Sequence, residues 1–312
     1  MRIVPLLAAC AVGVCLHSGV AQAQIQLIIP WPAGGGTDII GRLIQPVLAE
    51  ELGGQLLIRN VGGATGTIGT AEVVRAKPDG ATLLLTSMAA IVIQPSFRAN
   101  APYRADQLAP VCLIAEAPAT LMTPKNSGIR SIEDIAARAR AAPGQVPYAS
   151  GGVGGLGHLA MTAMTRALGI EMNHIPYRGS GDSILAMQQG TVQMLTAEAN
   201  LVQQYGMHAI AVFAERRSPD TPDAPTLREQ GHDLVFPLWT GIFAPAHTPE
   251  ATLARLDTAC GRTLGTPSVV EGMTRAAHPI RYLGRQEFTR YVQAETAKYA
   301  ELIRASGLGQ VD

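Results

Sequence analysis

Short apolar runs alternate along the chain with stretches whose apolar residues recur every three to four positions. That alternation of strand-like and helix-like patterns argues for an α/β architecture with mixed, mainly parallel sheets. Gln26-Leu27-Ile28-Ile29 reads as the first strand. After a glycine turn, Ile39, Ile40, Leu43, Ile44, Val47 and Leu48 fall at helical spacing, and Pro46 is expected to kink or shorten that helix. Leu56-Leu57-Ile58 reads as a second strand, followed by a helix near Ile68 to Ala76. Pro78-Asp79-Gly80 is a turn signature before the buried strand Thr82-Leu83-Leu84-Leu85. Val111 to Ile114 and Thr120 to Met122 read as extended segments joining two lobes, and Ser131 with Asp134 predicts a capped helix over 132–141.

The second half repeats the logic. Tyr148-Ala149-Ser150 precedes glycines and an apolar helix from His158 to Leu168. Ile210 to Phe213 reads as a buried strand, Trp239 to Ala244 as a return strand, and Gln286 to Ala305 as a closing helix. Phe288, Tyr291, Val292, Tyr299 and Leu302 are its candidate packing residues.

The N-terminus reads differently. Arg2 is followed by an almost wholly apolar run, Ile3 to Leu16, and then by Ala21-Gln22-Ala23, a small-x-small pattern. The run is shorter than the ~20 residues a membrane span needs, so residues 1–23 read as an export signal cleaved after Ala23. Leu7-Ala8-Ala9-Cys10 resembles a lipoprotein box, but it leaves too short an apolar stretch before the cysteine, and lipid anchoring ranks below cleavage. Cys112 and Cys260 would remain after cleavage. Export permits a disulfide, yet two buried thiols fit the sequence as well.

Composition removes several function classes. With 47% hydrophobic residues and 24 basic against 24 acidic side chains, the chain lacks the dense positive surface that nucleic-acid binding requires. No G-x-S-x-G elbow, H-E-x-x-H, C-x-x-C or phosphate-loop lysine is present. No cofactor or metal is therefore expected. Gly152-Val153-Gly154-Gly155-Leu156-Gly157 fits the G-x-G-x-x-G pattern, but its preceding strand is poor in apolar residues and no acidic residue is read at the end of the next strand.

Three glycine-rich turns follow predicted strands and open predicted helices: Ala33 to Asp38, Gly62 to Gly69, and Ser150 to His158. Helix starts leave N–H donors unpaired and carry the positive dipole end, so they attract anions without a charged side chain. Taken singly, each turn is explained equally well by tight geometry, and Asp38 by capping. Together they point to one carboxylate-sized ligand.

These segments, in this order, resemble the Bug family, exported solute receptors associated with tripartite tricarboxylate transporters. The likeness rests on Ile29-Pro30-Trp31-Pro32-Ala33-Gly34-Gly35-Gly36-Thr37-Asp38, on Asn60 to Gly69, and on Tyr148 to Leu159. Ile175-Pro176-Tyr177-Arg178-Gly179, Pro222 to Thr226, Trp239-Thr240-Gly241 and Ala244 to Pro249 extend it. It implies a two-lobed, type II periplasmic-binding-protein-like Venus flytrap. Residues 24–119 plus 241–312 would form one lobe and 120–240 the other. It implies a periplasmic, non-enzymatic, monomeric receptor that captures a dicarboxylate, amino acid or aromatic acid for membrane components of a transporter. An exported enzyme acting on a carboxylate, built on His158 and Asp38, and an orphan sensory receptor stay open.

Carried to matching positions, the resemblance nominates Ala33, Gly36, Thr37, Asp38, Thr65, Gly66, Ser150, Gly151, Gly154 and His158 as ligand contacts, with Trp31 as a flat wall. Ser87 joins this set. After Gly190 the sequence departs from the family pattern: Leu195-Thr196-Ala197-Glu198-Ala199-Asn200 stands where an aromatic–Asp–Asn segment is usual. Glu198 is accordingly a candidate for selecting an amino or other cationic group, or else a solvated carboxylate.

Overall fold

The computed structural model describes residues 24–306. The expected signal, its cleavage site and the lipoprotein-like box lie outside the described residues.

β1 (Gln24–Ile29), α1 (Gly36–Leu52), β2 (Gln55–Asn60), α2 (Thr67–Val74) and β3 (Thr82–Ser87) form a βαβαβ unit with both strand pairs parallel. β1 is buried on both faces, as an inner parallel strand should be. Leu27 and Ile29 enter one core cluster and Ile28 the other. On α1, Ile40, Ile44, Leu48 and Leu52 are buried at four-residue spacing. The helix is not shortened at Pro46. It continues to Leu52, because the proline ring sits on the exposed face while the buried stripe continues past it. Gly53, left-handed at φ 66°, ends the helix, with the N–H groups of Gly53 and Gly54 donating to the carbonyls of Glu50 and Ala49.

The short α3 (Gln94–Phe97) leads to β4 (Leu108–Pro124). The two extended segments expected here are one strand of 17 residues, with a register shift between Pro110 and Cys112 that accommodates the missing proline donor. α4 (Ile132–Ala141), β5 (Pro147–Ser150), α5 (Leu156–Leu168), β6 (Asn173–Pro176), α6 (Ser180–Gln188), β7 (Met194–Glu198), α7 (Asn200–Gln204) and β8 (Met207–Phe213) build the second lobe. The Ser131–Asp134 capping box starts α4 as the sequence predicts.

β9 (Pro237–Pro245) returns to the first lobe, followed by α8 (Glu250–Gly265), α9 (Pro267–Arg275), β10 (Ile280–Leu283) and α10 (Arg285–Ser306). β4 links the halves. Its residues 108–118 pair antiparallel with β9, and residues 119–124 pair antiparallel with β8. The strand order β2-β1-β3-β9-β4-β7-β5-β6 therefore runs through both lobes, parallel towards its ends and antiparallel at its centre. The open question about Cys112 and Cys260 is resolved: they form a disulfide tying β4 to α8. No helix among the described residues is long and apolar enough to cross a membrane.

Candidate functional site

Where β1 ends, the chain turns through Trp31 to Gly35 and enters α1. Asp38, 2% exposed, clasps this turn. Its Oδ2 accepts the Gly34 N–H at 2.8 Å and Arg42 Nε at 2.9 Å, and its Oδ1 accepts Asn60 Nδ2 at 2.9 Å. Burial would raise the carboxyl's pKa, but these hydrogen bonds and the Arg42 charge outweigh it and hold it below the ordinary value. The N-cap of α1 is Gly35, with no side-chain cap, so the first N–H groups of the helix are left for a ligand.

The second glycine turn carries Ala64, Thr65 and Gly66 at φ 47°, 55° and 83°. A β-branched residue at such an angle is rare, and here it aims a side chain across the cleft. Thr65 Oγ1 donates to the Val153 carbonyl of the other lobe at 3.1 Å. Gln94, fully buried, donates to the Val153 and Gly154 carbonyls at 3.2 and 2.9 Å. The lobes are closed on each other at this loop.

In the second lobe, α5 starts at Gly155 and α6 at Gly179, again without side-chain caps. Starts of α1, α5 and α6 border one interlobe cavity of about 370 Å³. Of the nominated residues, the first lobe lines it with Trp31, Ala33, Gly36, Thr37, Thr65 and Ser87, and the second with Gly151 and Glu198.

The others stand behind that wall, each for a visible reason. Asp38 is consumed by the turn it clasps. Gly66 makes room for the Trp31 ring, whose Cζ2 lies 3.1 Å from where a Cβ would stand. Ser150 is buried, with its Oγ donating to the Gly152 carbonyl at 2.9 Å and 2.7 Å from His174 Nε2. Gly154, at φ 67°, fits against Phe97, where a Cβ would meet a ring carbon at 2.5 Å. His158 Nδ1 accepts the Gly154 N–H at 3.1 Å, and its ring stacks on His174 at 4.0 Å between centroids. Burial lowers the His158 pKa to about 4; burial, then the neighbouring His158, lowers His174 to about 3.

The start of α6 lies one residue beyond the Ile175–Gly179 motif. Ser180, Gly181 and Asp182 line the cavity together with Gly179, and Ser180 Oγ donates to Glu198 Oε2 at 3.1 Å. The signal was the Gly179-Ser180-Gly181 turn after a short strand, the same pattern recognised at the other helix starts. Thr196, Tyr205 and Leu238, which complete the wall, carry no such signature.

Residues 40–308 match the model of the tripartite tricarboxylate transporter family receptor, TctC. A curated relative from Pseudomonas sp. (strain P51), the UPF0065 protein in the tcbD-tcbE intergenic region, is 30% identical over 286 residues, covering 89% of this chain and 85% of that protein. The periplasmic binding protein BugD superposes with a TM-score of 0.86 at 26% identity, covering 92% of this chain and 99% of that one. MatC from Rhodopseudomonas palustris, solved with bound malate, gives 0.83 at 26% identity, over 90% and 98% of the two chains. The chain belongs to the Bug, or TctC, family of tripartite tricarboxylate transporter receptors.

Proposed function

We propose that the protein is a periplasmic solute receptor, freed of residues 1–23 on export, that captures a small carboxylate between its lobes. It acts as a monomer, breaks no bond, and hands its ligand to the membrane components of a tripartite tricarboxylate-type transporter. The observation that carries this reading is the meeting of three uncapped helix starts, from both lobes, at one cavity. Such starts stabilise an anion through backbone donors and the helix dipole. Malate bound to the related MatC supports the ligand class. In this reading Gly36, Thr37, Thr65 and Gly151 are assigned to the carboxylate, Trp31 and Ala33 to the ligand's body, and Ser87 and Glu198 to its margins; all eight line the cavity.

An enzyme built on His158 and Asp38 is disfavoured, since neither residue lines the cavity and both Asp38 oxygens already accept hydrogen bonds.

A thermal-shift screen of residues 24–312 against mono- and dicarboxylates, amino acids and aromatic acids tests the reading. A ligand at a hundredfold excess over its Kd should stabilise the protein by about 2.7 kcal/mol, raising Tm by roughly 4–5 °C. A screen in which no carboxylate shifts Tm, or in which the ligand is recovered chemically altered, overturns it.

A further inference from the structure

The charges around the cavity are one-sided. Among the described residues, no lysine, arginine or histidine lines it, and its charged side chains are Asp182 and Glu198. Partial positive charge comes from the helix starts, each worth about half an elementary charge. That suffices for one carboxylate. Inside this chamber a second one would lie beside Asp182 or Glu198, with no basic side chain among the chamber's own lining residues.

Glu198 occupies a defined place. It ends β7 in the second lobe, with Oε2 accepting the Ser180 hydroxyl at 3.1 Å. Its Oε1 reaches the start of α1 in the first lobe, 3.2 Å from where a Cβ on Gly36 would stand. His278 Cε1 lies at the same distance from that point. Beside the main cavity is a small hollow of about 20 Å³ bordered by Gly36, Thr37, Glu198, Leu238 and His278, enough for one water-sized group. His278 is 6% exposed, and its Nε2 is buried without a hydrogen-bond partner. Burial lowers its pKa against the opposing pull of Glu198 and Asp220, so the imidazole supplies no full positive charge beside Glu198, which meets only the Ser180 hydroxyl and the start of α1. Arg98 and Arg178 border the adjoining hollow beyond Thr65 and Gly151 and do not line the chamber that holds Glu198.

Resting on the carboxylate reading above, we propose that the ligand is zwitterionic: a carboxylate that also bears a positively charged nitrogen, with the nitrogen seated against Glu198. The carboxylate faces the uncapped helix starts, and the ammonium group lies on the cavity side of the Glu198 carboxylate that ends β7. Asp182, exposed at the α6 start, adds to the negative field without a fixed contact.

The test is isothermal titration of residues 24–312 with four ligands of matched five-carbon length: valerate, glutarate, L-norvaline and 5-aminovalerate. At least one amino carboxylate should bind about tenfold or more tightly than glutarate. Glu198→Gln should remove about tenfold of that preference. Ser180→Ala, which frees the carboxylate without deleting it, should cost less, and circular dichroism of both variants reports their folding. Glutarate binding as tightly as both amino carboxylates overturns the proposal, as does an amino preference untouched by Glu198→Gln. If valerate or glutarate binds and neither amino carboxylate does, only the zwitterion assignment falls. If none of the four binds and the wider screen is also silent, the carboxylate reading falls with it.

Discussion

A buried imidazole is tolerated when its ring nitrogens have partners and its faces are packed. In the His158–His174 pair one nitrogen of each ring has a partner, and the rings stack on each other, with Tyr148 continuing the stack at 5.0 Å from His174. The folded chain keeps both rings neutral, with pKa values near 4 and 3, whereas the unfolded chain titrates them near 6.5. Between pH 6.5 and about 4 the unfolded state therefore binds more protons, and stability falls as pH falls. His278 acts in the same direction. Thermal melts should show Tm constant above pH 6.5 and declining steadily towards pH 4, with a shallower decline in His174→Asn. A Tm independent of pH across that window contradicts the packing described. This is also where a single sequence is least legible. Asp38 and His158 sit in the right loops, but whether a side chain faces ligand or its own turn depends on hydrogen bonds such as Gly34 to Asp38, which no spacing reveals. Glu198 was legible only as a departure from a family pattern.

Helix starts carry more of their fate in local sequence. The glycine turns before α1 and α5 and the Ser131–Asp134 box announced themselves, because caps and tight turns are decided within four or five residues. The α6 start escaped notice since its strand, Asn173–Pro176, is short and only partly buried. Pro46 does not shorten α1, which runs on to Leu52 with the proline on its exposed face. The disulfide was out of reach for a different reason: Cys112 and Cys260 are 148 residues apart, and only the packing of α8 on β4 brings them together. A crosslink over so long a loop constrains the unfolded chain strongly, typically by about 2–4 kcal/mol. Cys112→Ala/Cys260→Ala should lower Tm by several degrees. Since neither cysteine lines the cavity, ligand affinity in the folded variant should remain within about twofold. A loss of affinity as large as the loss of stability would place the disulfide in the binding machinery.

At the scale of the whole molecule, the α/β alternation was readable because buried strands and amphipathic helices differ in period. The closed arrangement was not. It depends on a few polar contacts over long sequence separations, Thr65 and Gln94 of the first lobe reaching the Val153–Gly154 carbonyls of the second. Those contacts join the lobes where the backbone amides of α1, α5 and α6 meet. The most direct measurement is an amide nitrogen–proton NMR titration of residues 24–312 with the tightest carboxylate from the thermal-shift screen, set beside its uncharged carboxamide. Amide resonances of Gly36, Thr37, Gly157 and Gly181 should move downfield with the acid, and the carboxamide should bind far more weakly. Tight binding of the acid that leaves those four amides unmoved, or equal affinity for acid and carboxamide, would contradict a carboxylate held by converging helix starts.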